Sequence, residues 1–395
     1  MTVARKIEEF MAQSSWIRKM FEEGIRLKKE YGDDKVYDFS LGNPNIHIEV
    51  PEHFKKVLLE TARDSGLRVH AYMPNAGFHE TRTAIAEYLS DEHEAELTHD
   101  HVIMTCGAGG ALNVALKTLL DPGDEVIIPV PFFAEYRFYI DNHGGVPSYV
   151  ETHGDFSLDI EAIADAITDR TKIVLINSPN NPTGKVYDRR SIEHLGELLT
   201  QKSNERDNHI YLIADEPYRD IVFDGIRVPS IFQAYDCSII ATSYSKTLSI
   251  PGERIGYLAV NPGISGWESV INGMVVSTRI LGFVNAPALM QRIVAKMQGV
   301  IVDIEYYRKK RDILCDGLAT IGYEFIKPQG AFYLFPKSPI DDDVEFVSAL
   351  QRRQILTVPG RGFGRAGYFR IAYCVDDRTI LNSMKGFAEV MAEYR

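Results

Sequence analysis

The chain has 395 residues, 45% of them hydrophobic and 25% charged, which is ordinary for a globular protein and long enough for one large and one smaller domain. Its net charge of -12 argues against a general nucleic-acid surface, which would carry a basic excess. Four scattered cysteines (Cys106, Cys237, Cys315, Cys374) read as reduced thiols rather than a disulfide frame or zinc site, and the charged N-terminal stretch, with no signal core and no later uncharged run long enough to span a bilayer, predicts a cytoplasmic protein with no membrane partner.

Residues 7–31 carry Ile17, Met20, Phe21, Ile25 and Leu27 near helical spacing, with Lys and Glu between them. One or two amphipathic helices are expected, forming an arm over the core or over a partner subunit. Residues 36–41 read as a short strand that runs into the turn Gly42-Asn43-Pro44. Helices are expected over 53–65 and 81–89, with a loop headed by Tyr72 between them. His93, His99 and His101 fall in what reads as a polar, solvated loop, because their spacing fits no tight metal motif.

A rhythm then sets in. Strands are expected at 102–105, 125–128, 172–176, 210–214 and 238–241, with a glycine turn at 106–110 and a helix over 111–120. Apolar runs alternating with helical stretches predict βαβ units and an α/β fold built on a mostly parallel sheet flanked by helices. Such a sheet puts the C-terminal ends of its strands on one edge, so their loops converge on one cleft. Residues 287–318 read as one long helical stretch leading to a smaller α+β domain. That domain has short strands at 323–325, 330–335 and 367–372, and helices at 343–353 and 378–394. The expected division is a large domain over 42–296 and a small domain from 1–41 and 297–395. No internal repeat or Gly/Ser linker interrupts the chain.

The strand ends carry unusual chemistry. Lys246 follows an apolar run, where an amine partly out of water has a lowered pKa and reacts with aldehydes. Gly107-Ala108-Gly109-Gly110 opens a helix and reads either as a plain tight turn or as a cup for one phosphate; the third glycine of a dinucleotide fingerprint is replaced by Leu112. Arg254, Ser243 and Ser245 supply a guanidinium and hydroxyls for the same phosphate. Asp215 is either a surface loop charge or a partner for a pyridinium N–H. Tyr218 and Asn181 can donate to a phenolate oxygen, although the Asn-Pro-Thr-Gly stretch is equally a simple turn. Phe133 is either core or a platform for a planar ring. One aldehyde cofactor needs all of these parts together, and it is pyridoxal 5'-phosphate (PLP).

The sequence resembles the class I/II PLP-dependent aminotransferases of fold type I, the aspartate aminotransferase superfamily. The resemblance is carried by Ser243-Tyr244-Ser245-Lys246-Thr247 with Pro251-Gly252-Glu253-Arg254-Ile255-Gly256-Tyr257, by Asn181-Pro182-Thr183-Gly184 and by Asp215-Glu216-Pro217-Tyr218. It extends from Leu41-Gly42-Asn43-Pro44 to Phe369-Arg370-Ile371. It implies a large PLP-binding domain in which Lys246 joins the cofactor as a Schiff base and Asp215 pairs with the ring nitrogen. Tyr218 and Asn181 would bond the ring's phenolic oxygen, and Phe133 would stack on the ring. The backbone at Gly107, Ala108 and Gly109, with Ser243, Ser245 and Arg254, would hold the phosphate. Arg370 would clamp the substrate carboxylate with Gly42 beside it, and Asn181 would border the substrate. Tyr72 would reach the partner subunit's phosphate, which implies a homodimer. The resemblance implies no metal site. Arg279 is a candidate for a distal substrate carboxylate, as against a surface or interface arginine. Glu253 stands where many relatives have Trp. The expected activity is transfer of an amino group between an L-amino acid and a 2-oxo acid, with aspartate and 2-oxoglutarate one pair. A PLP-dependent lyase or decarboxylase on the same fold, and a non-enzymatic PLP-binding sensor, are the alternatives.

Overall fold

Unbroken apolar runs build the centre of the molecule, because a strand covered on both faces has no room for an alternating polar face. The computed structural model describes residues 2–12, 16–44, 48–64, 66, 69–206 and 209–394. Its strands in chain order are β1 (Tyr37–Asp38), β2 (Val102–Thr105), β3 (Glu125–Val130), β4 (Val146–Glu151), β5 (Thr171–Asn177), β6 (Tyr211–Asp215), β7 (Ser238–Ser243), β8 (Gly256–Val260), β9 (Tyr333–Leu334), β10 (Ile355–Leu356), β11 (Val358–Pro359) and β12 (Phe369–Ala372). Seven of them form one sheet in the order β2-β8-β7-β6-β5-β3-β4. All pairings in it are parallel except those of β8, which runs antiparallel to both β2 and β7.

The expected strands of the large sheet are present, most of them longer than their apolar runs suggest. Two strands of this sheet had no expectation attached. β4 is an edge strand containing Pro147, and its mixed exposure gives no continuous apolar run. β8 is short and fully buried, and it follows directly on the Arg254 loop. The helix expected from 111 begins at Gly107 and runs Gly107–Leu119, so the glycines form its first turn instead of a separate loop.

Three further expectations are corrected. The stretch 287–318 is not one helix: Ala288–Val294 and Ile304–Ile321 are separated by residues that include Gly299 at φ 75°, and Asp303 caps the second helix by accepting from the Glu305 N–H. Residues 323–325 form no strand; Tyr323 is buried and donates its hydroxyl to the Phe387 carbonyl at 3.0 Å. The histidines do not share a solvated loop. His93 ends the helix His79–His93 fully buried, with Nδ1 3.0 Å from Ser230 Oγ, and His101 is buried with its ring 4.3 Å from that of Trp267. The arm over 7–31 is two helices, Arg5–Ala12 and Trp16–Tyr31. The helix expected over 53–65 is Glu52–Arg63, and residue 65 lies outside the described residues.

Buried apolar side chains fall into two main clusters. One packs on both faces of the seven-stranded sheet. The other joins the helices Ile304–Ile321, Asp343–Arg352 and Asp377–Glu393 to the antiparallel sheet β11-β12-β9. β1 pairs with β10, after which Phe39 bridges Leu356 and Ala372 through its backbone, at 2.9 Å in both directions. This pairing delivers Ser40, Leu41 and Gly42 to the cleft between the clusters.

Gly256 is pinned at the start of β8. A Cβ there would stand 2.3 Å from the Thr242 carbonyl and 3.0 Å from the Gly107 backbone. Gly256→Ala is therefore expected to lower stability by about 1–3 kcal/mol through overpacking against backbone. A denaturant midpoint equal to that of the wild type would contradict this.

Candidate active site

The C-terminal ends of β5, β6 and β7 face a cavity of about 280 Å³. Asp215 is the last residue of β6 and lies almost wholly buried in the cavity wall. The Tyr136 hydroxyl donates to Asp215 Oδ2 at 2.5 Å, while Oδ1 is buried and meets no donor among the described residues. Burial pushes the Asp215 carboxyl up to about 7; the Tyr136 hydrogen bond works against this shift and neighbouring Glu216 adds to it. A buried acceptor left open is costly unless something outside the chain fills it.

Lys246 sits in the short helix Tyr244–Thr247, which starts where β7 ends at Ser243. Its ammonium donates to the Gly42 carbonyl at 2.9 Å and lies 5.5 Å and 6.0 Å from the ring centres of Phe332 and Tyr218. Burial lowers its pKa to about 8; Cys374 opposes this shift, and the cations Arg254 and Arg370 reinforce it. This amine loses its proton far more readily than a surface lysine.

Arg370, on β12, is 2% exposed. It donates to Asn181 Oδ1 at 3.1 Å and to the Ser40 carbonyl at 2.5 Å, and its guanidinium lies over the rings of Tyr333 and Phe363. These partners are all neutral, and Nε meets no acceptor among the described residues. A buried cation held this way is set to receive an anion. The Arg370–Asn181 bond also fixes the Asn181 amide, so its NH2 faces away from the arginine.

Tyr218 and Tyr333 share a hydroxyl–hydroxyl hydrogen bond of 2.8 Å. Gly42 lies against this pair, and a Cβ on it would overlap the Tyr333 hydroxyl. At the other end of the cavity, Ala108 and Gly109 open the helix Gly107–Leu119, with Ser243, Ser245 and Arg254 beside them. Gly107 has φ 75°, and a Cβ there would approach Arg254 Nη2 to 3.0 Å. Arg254 itself is held in the left-handed region at φ 51°, a conformation uncommon for an arginine. Phe133 lines the cavity with its ring edge-on to Tyr136.

The structure thus brings twelve of the sequence-identified residues to one cavity wall: Lys246, Asp215, Tyr218, Asn181, Phe133, Gly42, Arg370, Arg254, Ser243, Ser245, Ala108 and Gly109. Gly107 stands just behind the wall against Arg254. Tyr72 is not in the cavity and is 91% exposed. Arg279 is exposed near the end of the helix Trp267–Ile280, and Glu253 is also exposed. Sequence reasoning missed Tyr136, Tyr139, Asn177 and Tyr333. Asn177 ends β5, donates to the Asp215 carbonyl and accepts from the Asn181 N–H; its place at a strand end four residues before Asn181 was a usable signal. Tyr136 and Tyr139 follow Phe133 at helical spacing, but their direction toward Asp215 has no local signature.

Comparison with known proteins gives the chain its family. The profile of aminotransferase class I and II matches residues 34–386. The chain is 34% identical to a probable aspartate aminotransferase of Methanocaldococcus jannaschii, over 91% of this chain and 94% of that one. It is 32% identical to the aspartate/prephenate aminotransferase of Thermus thermophilus, over 93% and 94%. A crystal structure of an amino transferase from Eubacterium rectale superimposes with a TM-score of 0.96, at 39% identity over the whole of both chains. The Thermus thermophilus aspartate aminotransferase with maleate gives 0.87, at 27% identity over 99% of this chain and 100% of that one. The chain belongs to the class I and II aminotransferases, enzymes that use pyridoxal 5'-phosphate to transfer amino groups.

Proposed function

We propose that the cavity beside Lys246 holds pyridoxal 5'-phosphate and that this chain's residues divide the work of transamination between a cofactor end and a substrate end. The observation that carries the reading is the open oxygen of Asp215. A buried carboxylate with one oxygen satisfied by Tyr136 and the other unpartnered suits a ring nitrogen that carries a proton. When bound, the cofactor supplies an aldehyde for the Lys246 amine and a ring that takes up electrons.

Each remaining role rests on geometry. The N–H groups of Gly107, Ala108 and Gly109 begin a helix of 13 residues, whose dipole favours a phosphate; Ser243, Ser245 and Arg254 add hydroxyls and a charge. Tyr218 and the Asn181 amide would donate to the ring's phenolic oxygen, and Phe133 would cover one ring face. Arg370 binds the substrate α-carboxylate, since its present partners leave its charge unneutralised. Gly42, with no Cβ, leaves room for the Tyr333 hydroxyl at the substrate end. Lys246 would take the proton from the substrate Cα, which requires an amine that is neutral for part of the time near neutral pH.

The substrates are an L-amino acid and a 2-oxo acid. Aspartate and 2-oxoglutarate are the pair to assay first, supported by the names of the relatives. The working unit is a homodimer with shared sites, supported by the 91% exposure of Tyr72 outside its own cavity; exposed Arg279 is then available to a partner subunit's substrate. The two apolar clusters support a large domain over 42–296 and a small one from 1–41 and 297–395. Among the described residues no helix is long and apolar enough to cross a membrane, and a cytoplasmic location is part of the proposal.

Three predictions test the reading. Amino acid alone, added to the PLP-loaded protein, should yield one equivalent of 2-oxo acid per subunit and then stop until an oxo acid is supplied. Lys246→Ala should reduce turnover by about 10²–10⁴-fold or more while leaving the unfolding midpoint near that of the wild type. Continuous product release without an acceptor would indicate a lyase instead, and an active Lys246→Ala would remove the lysine from the mechanism. The third prediction concerns pH. Only the neutral amine attacks an aldehyde, and Lys246 titrates near 8 instead of the ordinary 10.5. The rate of PLP uptake by the apoenzyme should therefore climb through about pH 8 and level off. A rate that keeps climbing toward the ordinary lysine value would contradict the lowered pKa.

A further inference from the structure

Tyr136 is 1% exposed and stands behind the cavity wall at the start of the helix Tyr136–Asn142. Its hydroxyl makes the 2.5 Å hydrogen bond to Asp215 Oδ2. Its ring meets that of Phe133 edge-on, at 5.5 Å between centres and 82° between planes. One side chain therefore touches both the carboxylate proposed for the edge of the ring and the aromatic proposed for its face. The contact with Asp215 is not local in the chain, since Asp215 ends β6 whereas Tyr136 follows β3; Phe133 stands three residues before Tyr136.

We propose that Tyr136 is a positioning residue that holds Asp215 by one oxygen, so that the other points into the cavity, and holds Phe133 at the matching height, so that carboxylate and platform meet one pyridine ring together. This rests on the reading of the cavity as a PLP site.

Electrostatics give the hydrogen bond a second consequence. The groups facing Asp215 are Glu216 beside it, Tyr218 in the following loop, Tyr136 and Tyr139 on their helix, and Lys246 and Arg254 across the cavity; Tyr187 faces Tyr136 from behind. Burial and Asp215 hold the Tyr136 phenol well above its usual pKa, so it remains a donor at any working pH. Its donation lowers the Asp215 pKa against the upward push of burial and Glu216. Without the donor, Asp215 would be protonated over more of the neutral range and would offer no charge to a ring N–H.

Tyr136→Phe keeps the ring and its contact with Phe133 and removes only the donor. PLP is titrated into the apo form of the full chain at a series of pH values. The dissociation constant at neutral pH should rise on the order of tenfold, the usual cost of losing a hydrogen bond to a charged group, and the acid limb of the binding curve should move to higher pH. A chain with a fluorinated, more acidic tyrosine placed at position 136 should move the acid limb the opposite way. A merely structural role would lower the melting temperature without moving the limb. The proposal is overturned if Tyr136→Phe binds PLP with the wild-type pH profile, or if both substitutions move the limb in one direction. Should Tyr136→Phe fail to fold, the fluorotyrosine chain decides alone by the sign of its shift. A wild-type apoenzyme that takes up no PLP would sink the reading of the cavity itself; wild-type uptake with unshifted variants would sink only the role of Tyr136.

Discussion

A buried carboxylate with one oxygen open is the constraint on which the site depends. Asp215 ends β6 after the buried apolar run Leu212-Ile213-Ala214, and burial there works against its charge. The chain offers it one strong hydrogen bond, from Tyr136. On the proposed reading, the missing second donor makes this cavity the place for a cationic ring edge. The family's cofactor brings that edge, and PLP binding and folding of this wall are then linked, since whatever satisfies Oδ1 stabilises the native state.

The substrate end follows the same logic with the opposite sign. Arg370 is buried among Asn181, the Ser40 carbonyl and two aromatic rings, all neutral. The protein therefore keeps a desolvated anion acceptor at one point of the cavity and a desolvated cation acceptor at another, with Lys246 in the same cavity. The two are joined through Asn181, whose backbone hangs from Asn177 and so from the Asp215 carbonyl. Three hydrogen bonds thus connect the two ends. Ser40 reaches Arg370 only because β1 is paired with β10, so an N-terminal segment and C-terminal elements meet at the substrate end.

Much of this was legible in the sequence where the chemistry sits at the end of an apolar run. Lys246, Asp215, Asn181 and the glycines at 107–110 all follow strands readable from consecutive Val, Ile and Leu, and parallel topology carries those ends to one edge without further information. The resemblance supplied Gly42 and Arg370, which lie on short strands or turns with no apolar run to mark them. What stayed hidden depends on contacts between distant segments. β4 is an edge strand with a proline and shows no continuous pattern. The break between 294 and 304, with Gly299 at positive φ and the Asp303 cap, is local but leaves the apolar spacing on either side unmarked. His93 looks like a loop residue until the helix His79–His93 buries it against Phe232. Tyr136 and Tyr333 are ordinary aromatics by sequence; only the packing of a helix after β3 and of β9 aims their hydroxyls at Asp215 and Tyr218.

The central claim is that the open oxygen of Asp215 receives a protonated ring nitrogen. Its most direct test is nitrogen NMR of the protein loaded with PLP labelled with nitrogen-15 in the ring. The account predicts the resonance of a protonated pyridine, held to higher pH than for free PLP and lost in Asp215→Ala. A resonance of unprotonated pyridine in the wild type, or one indifferent to Asp215→Ala, would contradict it.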